Sequence, residues 1–166
     1  MYIYHNDTQK RQQACANGVA ELLRLLGESL FRVYDEPEEY DENILECFID
    51  LLKAVMPDED YGKSFNHIIY VYGYLGVKKY LSGDEEEAIR CFEEEVRLAK
   101  AFDSLPEICV STSPAVNGAI FEKTKTNLGT SKMQSRVKHL LTNRYPLSEA
   151  FKEKPVFKKL INSIEC

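Results

Sequence analysis

The side chains that could carry out chemistry in this sequence are few and widely separated. Its three histidines, His5, His67 and His139, lie in different segments and form no H-x-x-x-H or H-E-x-x-H spacing, which a zinc site or metallohydrolase would need. The signatures G-x-S-x-G, G-x-x-x-x-G-K-[ST] and G-x-G-x-x-G, which mark nucleophiles and phosphate-binding loops, do not occur. The sequence therefore predicts a protein that is not an enzyme and that uses no metal or other cofactor.

The five cysteines support the same interpretation. They form no C-x-x-C pair, and they are Cys15, Cys47, Cys91, Cys109 and Cys166. An odd, unpaired set is unlike a disulfide scaffold or a structural zinc site. Reduced thiols, the lack of a signal peptide and the lack of an apolar run of about 18 residues predict a cytoplasmic protein without a membrane partner. Cys47 and Cys91 each precede a core phenylalanine and are predicted to be small buried side chains.

Charge is unevenly distributed along the chain. The 166 residues carry a formal charge of −6, but residues 131–166 hold eight Lys or Arg against three Glu, net +5, so residues 1–130 carry −11. An acidic body argues against direct binding of nucleic acid by this chain, because contacts to phosphates supply most of that affinity. We interpret the basic C-terminal segment as packing beside the glutamates of residues 85–95, with contact to a phosphate backbone as the alternative.

The elements that must position these residues are helical. Apolar residues recur at helical spacing and no segment alternates with period two. The pattern predicts a single all-α domain over 1–166, with six to eight helices in antiparallel hairpins. Residues 104–130 are predicted to be irregular, with a short helix around 115–123 as one option, and helices return over 131–166.

The first helix is predicted from about residue 8 to residue 34. Gly18 and Gly27 interrupt it, and we expect the close approach of a second helix to explain them, since glycine weakens a helix. The apolar positions expected to face the core are Ala14, Leu22, Leu23, Leu26, Leu30 and Val33.

The best-specified stretch of the chain is residues 66–103, which predicts a helical hairpin. Gly83 stands where a helix C-terminus favours a positive φ. Asp84 follows as the N-cap of the next helix, with Glu87 three residues on. The first turn of that helix is acidic, which suits the positive end of the helix dipole.

Residues 69–102 resemble a tetratricopeptide repeat (TPR), a 34-residue helix–turn–helix unit. The matching positions are Tyr72, Leu75-Gly76, Tyr80, Gly83-Asp84, Ala88-Ile89 and Phe92. The chain departs from the pattern at Lys79, Glu95 and Lys100. A degenerate earlier copy aligns over about 20–56, so the resemblance implies a TPR-like, right-handed helical array.

A wider resemblance covers roughly residues 40–166. In the order of its segments, the chain is similar to the C-terminal sensory and dimerising region of Firmicutes XRE-type helix-turn-helix transcriptional regulators. The segments that carry the likeness are Asp58–Gly62, Gly83–Ala88, Ala101–Pro106 and Thr112–Gly118. No helix-turn-helix is recognisable in the chain itself, so the resemblance implies contact with DNA only through an absent DNA-binding domain. The implied partner of this chain is a protein or peptide, with a second copy of itself as one option.

The TPR pattern also implies a ligand-binding face. Its concave side is lined by the first helix of each hairpin, and the corresponding positions here are Asn66, Tyr70, Gly73, Val77, Tyr80 and Leu81. Tyrosines suit peptide recognition because they combine a flat apolar ring with a hydroxyl. The alternative is that these tyrosines pack under residues 104–130 or against a second subunit. His67 is expected to be a surface or interface histidine.

Two functions remain open from the sequence. The first is a non-catalytic regulatory domain of a transcriptional regulator, which binds a peptide, a small effector or a second subunit through the helical groove. The alternative is a stand-alone TPR-like scaffold that holds a segment of a partner protein.

Overall fold

The computed structural model of the chain describes residues 8–31, 36–123 and 132–165. Within these ranges the protein is mostly helical, with one two-stranded sheet. The elements are α1 (Thr8–Leu30), α2 (Glu42–Val55), α3 (Phe65–Leu81), α4 (Glu85–Ser104), β1 (Ile108–Val110), β2 (Ile120–Glu122), α5 (Met133–His139), α6 (Glu149–Lys152) and α7 (Pro155–Asn162). A π-helical turn, Leu140–Arg144, extends α5. In the part of the chain that the structure describes, no helix combines the length and apolarity needed to cross a membrane.

Helix α3 lies at the centre of the fold. Nine of its 17 residues are buried, including Ile68, Val71 and Val77, an arc much wider than the single apolar stripe of a surface helix. Its most extensive packing is with α4, and α2 packs on another side. Because α3 is packed on several sides, the side chains on its remaining face are held in fixed positions.

The hairpin of α3 and α4 agrees with the sequence prediction in detail. Gly83 has φ +89°, and the Asp84 carboxylate accepts a hydrogen bond from the Glu87 N–H at 3.1 Å. Gly76 lets the two helices approach closely, because a Cβ there would lie 2.5 Å from the Phe92 ring. The turn, the cap and the small residue at the crossing are all local features that the sequence displays.

Helices α1 and α2 differ from the prediction. The described residues of α1 pack mainly against the 3₁₀ turns Gly62–Ser64 and Pro114–Val116, whereas α2 packs on α3. They therefore lack the extensive mutual packing of a hairpin, and the degenerate repeat expected over about 20–56 is not present as a paired unit. Contacts with segments distant in sequence decide where α1 lies.

The core face of α1 was only partly predicted. Leu23 and Gly27 are buried, and Gly27 is required because a Cβ there would lie 2.4 Å from the His67 ring. Leu22 and Leu26, however, are 68% and 46% exposed, so the predicted stripe is rotated away from the true one. Val33 lies outside the described residues.

The irregular segment contains the sheet that the sequence did not indicate. Strands β1 and β2 pair antiparallel, with Cys109 opposite Phe121. The helix suggested around 115–123 is wrong, because the 3₁₀ turn Pro114–Val116 and then β2 occupy that stretch. Strands of three residues are too short to show a period-two pattern, so the all-α expectation holds for the bulk of the described chain but not here.

The C-terminal helices are attached to α4 by polar contacts. The Asp103 carboxylate accepts hydrogen bonds from the backbone N–H groups of Met133 (2.8 Å) and Gln134 (3.0 Å), so a residue of α4 caps α5. Helix α7 also lies along α4, and Lys154 forms an ion pair with Glu85. The expectation that the basic segment packs beside the acidic helix is confirmed at this contact.

Candidate functional site: a tyrosine-lined cavity between α3 and α5

A cavity of about 510 Å³ opens between α3 and α5. Its lining residues are Tyr70, Tyr74, Ser135, Arg136, His139 and Leu140. The two tyrosines are four residues apart on α3 and therefore share a face, one turn above the other. The other four repeat at the same spacing along α5 and the start of its π-helical turn. Two helices that are distant in the sequence thus build the cavity.

Aromatic packing fixes the α3 wall. The Phe31 ring meets Tyr70 and Tyr74 edge to face, with centroids 6.2 Å and 5.4 Å apart. On its other side Phe31 stacks on His67 at 5.8 Å. The prediction that His67 is a surface or interface residue is wrong within this chain, because the imidazole is half-buried and burial lowers its pKa to about 4. At neutral pH this histidine is a neutral structural ring.

The α5 wall supplies the polar groups. Burial raises the pKa of Tyr70, and the Arg136 guanidinium beside its hydroxyl opposes that rise. A guanidinium carries five N–H donors in a planar fork, so it can serve more than one acceptor. The imidazole of His139 lies 3.3 Å from the Asn143 amide, measured from Nδ1 to Nδ2. The cavity thus combines two aromatic rings with a cationic donor.

A buried acid lies under Gly73, beside the cavity-lining tyrosines of α3. Glu95 is completely buried, and the Tyr145 hydroxyl donates to its Oε1 at 2.8 Å. Burial raises the pKa of Glu95 well above its usual 4.5. Its Oε2 has no hydrogen-bond partner among the described residues. The Glu95–Tyr145 hydrogen bond therefore joins α4 to the residue that follows the π-helical turn.

The remaining reactive side chains do not converge. In the described ranges no three His, Cys, Asp or Glu side chains could hold a metal ion together; His5 and Cys166 lie outside those ranges. Cys91 is buried as predicted, and desolvation raises its thiol pKa to about 12. Cys47 is exposed, so its predicted burial is wrong. The cavity is equipped for binding through stacking and charge.

Of the predicted ligand-binding residues, Tyr70 lines this cavity. Asn66 lies one turn before Tyr70, and its buried side-chain oxygen has no partner among the described residues. Leu81 is at the far end of α3 and is 51% exposed. These three residues therefore do not share one surface.

Three other predicted positions are not part of an open groove. A Cβ on Gly73 would lie 2.1 Å from the Tyr145 hydroxyl and 2.4 Å from Glu95 Oε1. Val77 is fully buried, and the Tyr80 hydroxyl accepts a hydrogen bond from the Ser148 N–H at 3.0 Å. Gly73 and Tyr80 therefore pack against residues within 145–151, whereas the alternative placed the tyrosines under residues 104–130 or against a second subunit.

Four lining residues were missed by sequence reasoning, namely Ser135, Arg136, His139 and Leu140. A weak signal exists, because helical periodicity over 131–142 places Met133, Val137, Leu140 and Leu141 inward. Ser135, Arg136 and His139 flank these positions. The spacing does not show that this helix packs against α3, so the sequence does not identify what these residues face.

Comparison with known proteins gives no relative to set beside this site, since no family model, no curated protein and no solved structure matches the chain.

Proposed function

We propose that this chain is a non-catalytic regulatory domain that binds a small effector or the end of a peptide in the cavity between α3 and α5. One observation supports this above the others. The rings of Tyr70 and Tyr74 and the guanidinium of Arg136 line the same cavity of about 510 Å³, a size typical of small-molecule sites.

The chemistry of the lining defines the ligand class. A guanidinium recognises carboxylate or phosphate through paired N–H donors. Tyrosine rings favour a flat or aliphatic group stacked on them. The ligand that fits both is a molecule with one anionic group next to an apolar part, such as an aromatic carboxylic acid or the C-terminal residues of a peptide.

The regulatory step follows from where the two walls come from. Since α3 belongs to the central hairpin and α5 to the C-terminal segment, a ligand held between them favours the arrangement in which both walls are in place. A ligand shifts such an equilibrium only by its differential affinity for the two states. The α3–α4 hairpin would act here as a TPR-like platform, with α5 as the element that moves.

The sequence resemblance to XRE-type regulators supports placing this domain in a transcriptional regulator of the cytoplasm. In that role the chain would report ligand occupancy to a separate DNA-binding domain.

The test is binding to the purified protein, measured by native mass spectrometry and by thermal shift against a panel of aromatic carboxylates, phosphates and short peptides. We expect a bound species whose affinity falls at least about tenfold in Arg136→Gln, the loss of a charge-assisted contact. The matched control is Arg144→Gln, an exposed arginine at the end of the same helical segment. Equal binding by both variants, or by Tyr74→Ala, would place the ligand elsewhere.

A further inference from the structure

The outer face of α1 carries an apolar surface that the cavity does not use. Leu22, Leu25 and Leu26 are 68%, 44% and 46% exposed, and their spacing places them together on one side of the helix. Exposed leucines that occur singly are ordinary, whereas a contiguous apolar patch marks an interaction surface.

The N-terminal half of the same face is lined by small residues. Ala14, Cys15 and Gly18 are all exposed, and a Cβ on Gly18 would meet no atom within 4 Å. Unlike Gly27, Gly18 therefore has no packing reason among the described residues. A depression in the N-terminal half and a ridge of leucines in the C-terminal half lie along one helix face.

We propose that this face binds the same face of a second copy of the chain, with the two α1 helices antiparallel. A twofold axis near residue 20 places Leu22 over Gly18 of the partner subunit, Leu25 opposite the partner's Cys15 and Leu26 opposite the partner's Ala14. Large side chains then fill the space left by small ones, as close packing requires. A parallel pair would instead set leucine against leucine and leave a gap at Gly18.

The charges along α1 favour the same orientation. The first described turn of α1 has no acidic residue, and its last turn has no basic residue. The helix dipole favours acidic residues at the N-terminal end and basic residues at the C-terminal end, so α1 lacks both. Lys10 and Arg11 lie near the positive end, and Glu28, which pairs with Arg24 of its own helix, lies near the negative end. In the antiparallel pair Lys10 and Arg11 approach the C-terminal end of the partner helix, where its Glu28 lies.

The size of the face sets the expected strength. Three leucines and three small residues per copy form a contact smaller than the about 1,200–2,000 Å² that stable interfaces bury, which corresponds to a weak, reversible association. We expect a reversible dimer with a Kd on the order of 10 μM. This association is separate from the ligand cavity and does not depend on it.

Disulfide trapping tests the register directly. In Leu25→Cys, the new thiol faces the native Cys15 of the partner but is about 15 Å from Cys15 of its own helix, too far for an internal bond. Mild oxidation should give a covalent dimer that dithiothreitol reverses. The double variant Cys15→Ser/Leu25→Cys and the matched control Leu81→Cys should stay monomeric on denaturing gels. A wild-type dimer linked through Cys15 to Cys15 would show a parallel pair and overturn the proposal.

Sedimentation equilibrium tests the packing without cross-links. Gly18→Leu meets open space within its own chain, so it should fold normally, yet it fills the site of the partner's Leu22 and should weaken the dimer at least about tenfold. Leu22→Glu should do the same, and Leu81→Glu, an exposed leucine on α3, should not. The proposal fails if wild type is monomeric up to about 200 μM, or if Gly18→Leu dimerises as well as wild type.

Discussion

The two halves of one face of α3 behave differently although the sequence presents them as one surface. The open half, defined as Tyr70 and Tyr74, faces the polar side of α5 and retains a cavity. The closed half, defined as Gly73, Val77 and Tyr80, is covered by the residues that follow α5.

The closed half is covered because the segment after α5 leaves the helix and turns back over α3. After the π-helical turn Leu140–Arg144 the backbone becomes extended at Tyr145, and Leu147 and Phe151 then enter the core. The open half meets Ser135 and Arg136 instead, which do not fill the space. A surface on a helical hairpin thus becomes a ligand site only where the covering segment is polar and leaves room.

Removing the main covering side chain should produce the largest effect. Phe151 is 1% exposed, and its ring lies 4.8 Å from that of Tyr80 and 5.4 Å from that of Phe157. We expect Phe151→Ala to lower the free energy of unfolding by about 3–5 kcal/mol, measured by urea denaturation. Tyr70→Phe in the open half should cost less than about 1 kcal/mol. Similar losses at the two positions would remove the distinction between the halves.

The acid sensitivity of the protein should originate beside the open half. Burial lowers the pKa of His67 to about 4, below its unfolded value of 6.5. The unfolded chain therefore binds the proton first, and stability is lost as pH falls from 6.5 through 4, by about 3 kcal/mol in total. His67→Phe keeps a ring against Phe31 and should flatten this part of the pH–stability curve. Parallel curves for variant and wild type over that range would contradict the assignment.

A methyl group should be tolerated poorly in the closed half. Gly73→Ala would place Cβ against the Tyr145 hydroxyl and Glu95, so both must move. We expect a loss of about 1–3 kcal/mol in denaturant unfolding. Gly18→Ala is the matched control, since its Cβ meets open space and alanine favours a helix by about 1 kcal/mol. A neutral Gly73→Ala would mean that the covering segment is loosely held.

A second, opposite dependence on pH is expected from the acid beneath the closed half. Because burial raises the pKa of Glu95 above 4.5, the folded protein keeps a proton that the unfolded chain has lost. Its contribution is fully present below pH 4.5 and declines above it by up to about 1.4 kcal/mol per pH unit. Glu95→Gln retains an oxygen for the Tyr145 hydroxyl and should be more stable than wild type at pH 7. An unchanged pH profile, followed by thermal melting, would refute a buried protonated carboxyl.

Local features of the fold were predictable, and long-range ones were not. The turn, the helix cap and the close helix crossing all lie within one hairpin. Their residue types, Gly83, Asp84 and Gly76, therefore predict them. Arg136 was missed because its role depends on where α5 packs, which Asp103 determines from 30 residues away by capping it. Tyr70 was identified through the repeat pattern, but the same pattern gave Gly73 and Val77, which the returning chain buries.

The sequence by itself determined that this protein is predominantly helical and centred on the α3–α4 hairpin, because helical periodicity, caps and turn glycines act over a few residues. Only the tertiary structure decided that α1 packs on two 3₁₀ turns, that residues 108–122 contain a small sheet, and that half of the α3 face is open. Those outcomes depend on the packing of side chains such as Tyr145, Phe151 and Phe31 against distant partners. Packing selects among surfaces that are equally apolar in the sequence, and for that reason the cavity emerged only from the folded chain.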